Sequence, residues 1–167
     1  MTTVSNGSSI TVSGTDSGDI VLSGGVLNIA PGGTASGTIL SGGFESDSGT
    51  AVGTIVSSGG QESVVSGGST SSATVLSGGI ETVLSGGTAT GVTVSAQGYM
   101  QLGYGSYNGQ PGAAGGTASG TILTGGGLGV SAGGVAISTT VSGNGINFGN
   151  INVASGGSTT EIGRAHV

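Results

Sequence analysis

The chain has 167 residues and a formal charge of −6, with 41 Gly, three Tyr, two Phe, no Trp and no Cys, so disulfides and thiolate metal sites are excluded. Its only basic side chains are Arg164 and His166, which leaves no basic surface for nucleic acid or anionic lipid. No apolar run approaches the ~18 residues of a transmembrane helix.

Residues 1–19 read as an N-terminal cap or a first irregular coil. Met1 to Gly7 has neither a charged n-region nor an apolar h-region, so no Sec-type signal is expected there. Asp16-Ser17-Gly18-Asp19 reads as a turn. A calcium-binding nonapeptide loop would repeat elsewhere in the chain, and this one does not.

From Ile20 to Thr160 the sequence repeats about every 18 or 19 residues, each unit punctuated by Gly-Gly, as at Gly24-Gly25, Gly42-Gly43, Gly59-Gly60 and Gly78-Gly79. Short segments rich in Val, Ile and Thr alternate between these marks. They include Thr34-Ala35-Ser36-Gly37, Thr38-Ile39-Leu40-Ser41, Glu62-Ser63-Val64-Val65-Ser66, Thr74-Val75-Leu76-Ser77 and Glu81-Thr82-Val83-Leu84-Ser85. Their length and β-branching predict strands, and no helical period is sustained. A disordered low-complexity chain has similar composition, but it has no reason to keep apolar residues in phase.

Stacking the units predicts three inward columns. One holds Leu22, Leu40, Val56, Leu76, Val94, Leu123 and Val141. A second holds Ile29, Val64, Val83 and Val130. A third, of small residues, holds Ala35, Ala51, Ser71, Ala89, Ala118 and Ala136. The predicted fold is all-β: a parallel β-helix with coils of about 18–19 residues.

Two insertions interrupt the repeat. Residues 98–114 carry Tyr99, Tyr104 and Tyr107, candidate contacts for a glycan or a protein. Residues 143–150 read as an irregular coil with Asn at its corners. Residues 161–167 read as a non-native tail: they break the repeat and match one reading frame of a common sequencing-library adapter.

Glu45, Glu62 and Glu81 fall in one repeat column. The first reading is a solvated polar face. Oxygen ligands also suit a calcium ion, and carboxylates about 5 Å apart also suit a retaining glycosidase. No His or Lys stands near as a partner.

Ser85 to Ser95 (SGGTATGVTVS), Ser58 to Gly79 (SGGQESVVSGGSTSSATVLSGG) and Gly115 to Gly126 (GGTASGTILTGG) resemble the passenger repeats of AIDA-type (diffuse-adherence) autotransporter adhesins, over roughly Ile20 to Ser158. The resemblance implies a right-handed β-helix, secreted or held at the surface of a Gram-negative bacterium. It also implies adhesion, self-association or biofilm formation and, in some members, O-linked heptose on Ser and Thr. Beyond Thr160 the resemblance leaves room for the family's translocating β-barrel or for a C-terminal secretion signal in its place.

The expected function is therefore a non-catalytic adhesion module without a cofactor. Its expected partners are its own copies, or glycans or proteins of a host or surface. One alternative is an ice-binding hydroxyl array formed by Thr34, Thr50, Thr88 and Thr117 beside Thr38, Thr54, Thr74 and Thr121. A polysaccharide-processing β-helix enzyme is the other.

Overall fold

The computed structural model describes residues 1–104, 112–142 and 150–164, which form a parallel β-solenoid with no helix among the described residues. Each rung places one short strand in each of three sheets. Sheet A stacks Thr3–Val4, Ile20–Leu22, Ile39–Ser41, Ile55–Ser57, Thr74–Val75, Thr93–Ser95, Ile122–Thr124, Thr140–Ser142 and Gly163–Arg164. Sheet B stacks Ser9–Val12, Val26–Ile29, Phe44–Asp47, Gln61–Val64, Ile80–Val83, Tyr99–Leu102, Gly127–Val130 and Asn150–Val153. Sheet C stacks Thr15–Ser17, Thr34–Ser36, Thr50–Val52, Ser69–Ser71, Thr88–Thr90, Thr117–Ser119, Val135–Ile137 and Ser158–Thr160. Residues 1–19 thus supply one strand to each sheet, in register with the rung above.

The Gly-Gly corners follow from backbone crowding. Gly24 turns the chain at φ 73°, where a side chain is disfavoured. A Cβ on Gly25 would stand 2.5 Å from the Val4 carbonyl oxygen of the rung below, so the second glycine is needed for space. The third corner needs only the positive φ: Gly37, Gly53, Gly91 and Gly120 supply it, and Ser72 and Ser138 adopt it at 56° and 51°.

The bore is filled by columns, one residue per rung. Sheet A contributes Val21, Leu40, Val56, Val75, Val94 and Leu123, all fully buried. Leu22 and Leu76 were expected in this column, but they face outward at 38% and 37% exposure. The expectation counted back from Gly-Gly. The corner after sheet A is one residue longer after Val75 than after Leu40, and a one-residue slip moves a side chain to the other face. The small column reads Ala35, Ala51, Thr70, Ala89, Ala118 and Ala136, so Thr70 fills the place expected for Ser71. Ile29, Val64, Val83 and Val130 line the bore as expected, joined by Asp47 and Leu102.

The ladder does not stop before the C-terminal tail. Glu161 takes the third-corner conformation at φ 56°, and Gly163–Arg164 pairs with Thr140 and Val141.

Candidate functional site

The outer face of sheet C is a plane of hydroxyls. Residues i and i+2 of each three-residue strand face out while the middle residue enters the bore. In register, one column is Thr15, Thr34, Thr50, Ser69, Thr88, Thr117, Val135 and Ser158, and the other is Ser17, Ser36, Val52, Ser71, Thr90, Ser119, Ile137 and Thr160, so Val52, Val135 and Ile137 interrupt the hydroxyls. The array anticipated from sequence is split. Thr34, Thr50, Thr88 and Thr117 lie on this face, Thr74 faces out from sheet A, and Thr38, Thr54 and Thr121 are buried. The partner column of Ser17, Ser36, Ser71, Thr90 and Ser119 was legible only once the i, i+2 register was known.

Tyr99 and Tyr104 occupy different parts of the fold. Tyr99 belongs to a regular sheet B strand and points outward at 40% exposure, in line with Phe44 and Ile80. The excursion begins after Leu102, narrower than the expected 98–114. Tyr104 stands at its base at 47% exposure, where its N–H donates to the Ala113 carbonyl at 3.0 Å. A groove of about 440 Å³ runs beside Tyr104 between Ala113, Ser131 and Ala154. Tyr107 and the irregular coil at 143–149 lie outside the described residues.

The carboxylates are the largest departure from expectation. Glu45, Glu62 and Glu81 do share a column, stacked on adjacent rungs of sheet B. That column faces the bore, not solvent, and the three side chains are 0%, 1% and 0% exposed. They replace the Leu27, Met100 and Leu128 of other rungs, so the volume fits while the chemistry does not. Asp47, two residues after Glu45 on the same strand, is also buried. The solvated polar face is therefore ruled out for these residues, and no substrate reaches them from outside.

Among the described residues, no basic side chain pairs with these acids. None of the carboxyl oxygens of Glu45, Asp47, Glu62 and Glu81 makes a hydrogen bond of full geometry, although Glu62 and Asp47 lie close enough for one carboxyl to share its proton with the other. The Thr38 and Thr54 hydroxyls lie beside Glu45 and that of Thr70 beside Glu62. The Thr54 and Thr70 oxygens are themselves buried without a hydrogen bond. Burial pushes the Glu45 carboxyl up to about 8, with the Glu62 charge and Asp19 adding to it and Thr38 and Thr54 opposing. Burial, then Glu62, Glu45 and Glu81, push Asp47 up to about 11. Glu62 and Glu81 are raised by burial as well, Glu81 also by Glu62. Two bare charges 4 Å apart would repel by about 4 kcal/mol even at an effective dielectric constant near 20, so the ladder does not stay ionised alone. The remaining buried acid, Asp19, accepts from the Thr2 N–H at 2.6 Å and lies 3.7 Å from the N-terminal ammonium.

No family model matches the sequence, and no curated protein matches it. Among solved structures, the chain is similar to the TibC-catalysed hyper-glycosylated fragment of TibA. The two share 28% identity at a TM-score of 0.64, covering 98% of this chain and 77% of that one.

Proposed function

We propose that the chain is a non-catalytic repeat module, secreted or displayed at a bacterial surface, that mediates adhesion and self-association. One observation carries this reading: the outward columns of sheet C carry hydroxyls on most rungs, interrupted by Val52, Val135 and Ile137, and no charged side chain. Five of the chain's seven acidic side chains are buried, so the surface carries far less than the formal charge. Identical faces then approach with little repulsion. Their contacts are weak hydrogen bonds of about 0.5–1.5 kcal/mol each, multiplied along the axis. The likeness to the hyper-glycosylated TibA fragment and the AIDA-type repeat pattern support the same reading, and the outward hydroxyls of sheet C are groups that glycosylation could use.

The test is settling. Beads coated with the chain should clump and sediment, and should attach to surfaces, while uncoated beads stay dispersed. If coated beads neither clump nor attach to any tested glycan, protein or abiotic surface, the reading fails. A second reading, ice binding, draws on the paired hydroxyl columns of sheet C. An ice-recrystallisation assay separates it from adhesion. The buried carboxylates weigh against a polysaccharide-processing enzyme.

A further inference from the structure

We propose that Glu45, Asp47 and Glu62, with the hydroxyls of Thr54 and Thr70, form a closed calcium site inside the bore. This inference does not depend on the adhesive reading. Each of the three acids offers a carboxylate oxygen, and these oxygens lie within 4.8 Å of one another. A cation between them therefore sits near the ~2.4 Å that calcium keeps from its oxygens. Three carboxyls offer at most six oxygens and two hydroxyls add two more, matching the roughly six to eight that calcium takes.

The independent pointer is the hydroxyl pair. Thr54 is 0% and Thr70 2% exposed; each hydroxyl is close enough to a ligand carboxyl, Glu45 and Glu62 respectively, to lower that group's pKa, yet neither Oγ1 reaches full hydrogen-bond geometry. A buried hydroxyl without a partner is costly, and so is a buried carboxylate. Thr70 also interrupts the run of Ala35, Ala51, Ala89, Ala118 and Ala136 in its column, whose other polar members, Asp16 and Thr159, stand at the two ends, and it occurs on the rung of Glu62. A single ion satisfies both hydroxyls and all three acids at once.

The donor set selects the ion. All donors are hard oxygens, and no Cys or His lines the described bore, which disfavours zinc. Magnesium keeps several waters, and a bore closed on every side by packed side chains suits an ion that sheds them. The ligands come from two adjacent rungs, Phe44–Asp47 and Gln61–Val64, so the site exists only once those rungs have stacked. The ion is taken up as the solenoid winds, and binding adds to folding. Glu81, one rung further, lies outside the three-acid cluster.

The test is refolding from denaturant in calcium chloride or in EGTA, followed by desalting, atomic emission and thermal melting. The wild-type chain refolded with calcium should retain about one calcium ion per chain and melt roughly 5 °C or more above the EGTA sample. The triple variant Glu45→Leu/Asp47→Val/Glu62→Leu takes its side chains from the same columns of other rungs. It should retain no calcium and melt alike in both conditions. Should it not fold, Glu62→Gln decides, and calcium retention should fall at least about tenfold. Only trace calcium in the wild type with equal midpoints overturns the site. So does retention by the variants equal to wild type, because the ion then resides elsewhere.

Discussion

Glu45 and Glu62 stand on adjacent rungs in one inward column, each walled from solvent, and neither makes a hydrogen bond of full geometry through its carboxyl oxygens. Leu27 precedes them in that column and Met100 follows Glu81. The acids are therefore local replacements in an apolar stack, and the properties below follow from that placement.

The metal-free protein should lose stability as pH rises. In the fold, Glu45 and Asp47 hold their protons to about 8 and about 11 because of burial and neighbouring acids. In the unfolded chain they ionise near the ordinary carboxylate value. The folded state thus binds more protons, and stability is fully present below the unfolded value. It declines as pH climbs through about 8 for Glu45 and on toward about 11 for Asp47, by about 1.4 kcal/mol per pH unit per group. The groups facing this cluster are Asp19, Glu62 and Glu81, none of them cationic. Thermal melts in EGTA from pH 4 to 9 should show a falling midpoint. A midpoint rising toward pH 8 would refute the buried ladder.

Val75 and Leu76 separate the two registers. Val75 is fully buried and Leu76 is 37% exposed. Val75→Asp should destabilise by about 3 kcal/mol or more, since it adds an unpaired charge to a dry column. Leu76→Asp should change stability by no more than about 0.5 kcal/mol. Denaturant titration of both variants checks the pair, and a reversed order would restore the register expected from the repeat.

The repeat length, strand character and Gly-Gly corners were legible because each has a local cause: backbone crowding, positive φ and β-branching. The column of Glu45, Glu62 and Glu81 was legible from spacing alone. Its inward direction was not, because charge patterning argues for solvent and only the pairing with Leu27 and Met100 shows the face. Leu76 was misplaced because corner length varies by one residue between rungs, which a motif anchored on Gly-Gly does not reveal. The Thr38 and Thr54 hydroxyls were read as surface for the same reason: composition does not say which way a strand residue points.

Native charge should be far smaller than formal charge. Glu45, Asp47, Glu62, Glu81 and Asp19 are buried, while the chain's formal charge is −6. Protonated or ion-bound, the ladder contributes little to mobility. Electrophoresis at neutral pH should therefore give the native chain less than about half the mobility per frictional unit of the urea-unfolded chain. Equal values would mean that the acids are ionised and hydrated.

Ser72→Gly should stabilise the protein by roughly 0.5–1 kcal/mol. Ser72 adopts φ 56° at the corner where Gly37, Gly53, Gly91 and Gly120 stand in other rungs. Left-handed backbone costs a side-chain-bearing residue about 1–2 kcal/mol, partly offset by the greater freedom of Gly in the unfolded chain. A lower denaturation midpoint for the variant would show that the Ser72 side chain contributes more than its backbone costs.

Charging the sheet C face should abolish clumping more effectively than removing the tyrosines. Thr50, Thr88 and Thr117 lie in one outward column of sheet C, and Ser69 stands between the first two. Replacing those three threonines with Asp places like charges along one column of the face. Two such faces meeting repel at every rung, while each fold is spared because the column points to water. Tyr99 lies on sheet B and Tyr104 at the corner between sheets B and C, so neither belongs to the outward columns of sheet C. Tyr99→Ala/Tyr104→Ala should therefore leave bead settling largely intact, and the triple Asp variant should eliminate it at low salt and recover part of it at high salt. Circular dichroism of both variants confirms that the solenoid survives. If settling persists in the Asp variant and disappears in the tyrosine variant, the contact belongs to the sheet B column of Phe44, Gln61, Ile80 and Tyr99 and to the groove at Tyr104, and the hydroxyl plane has no part in it.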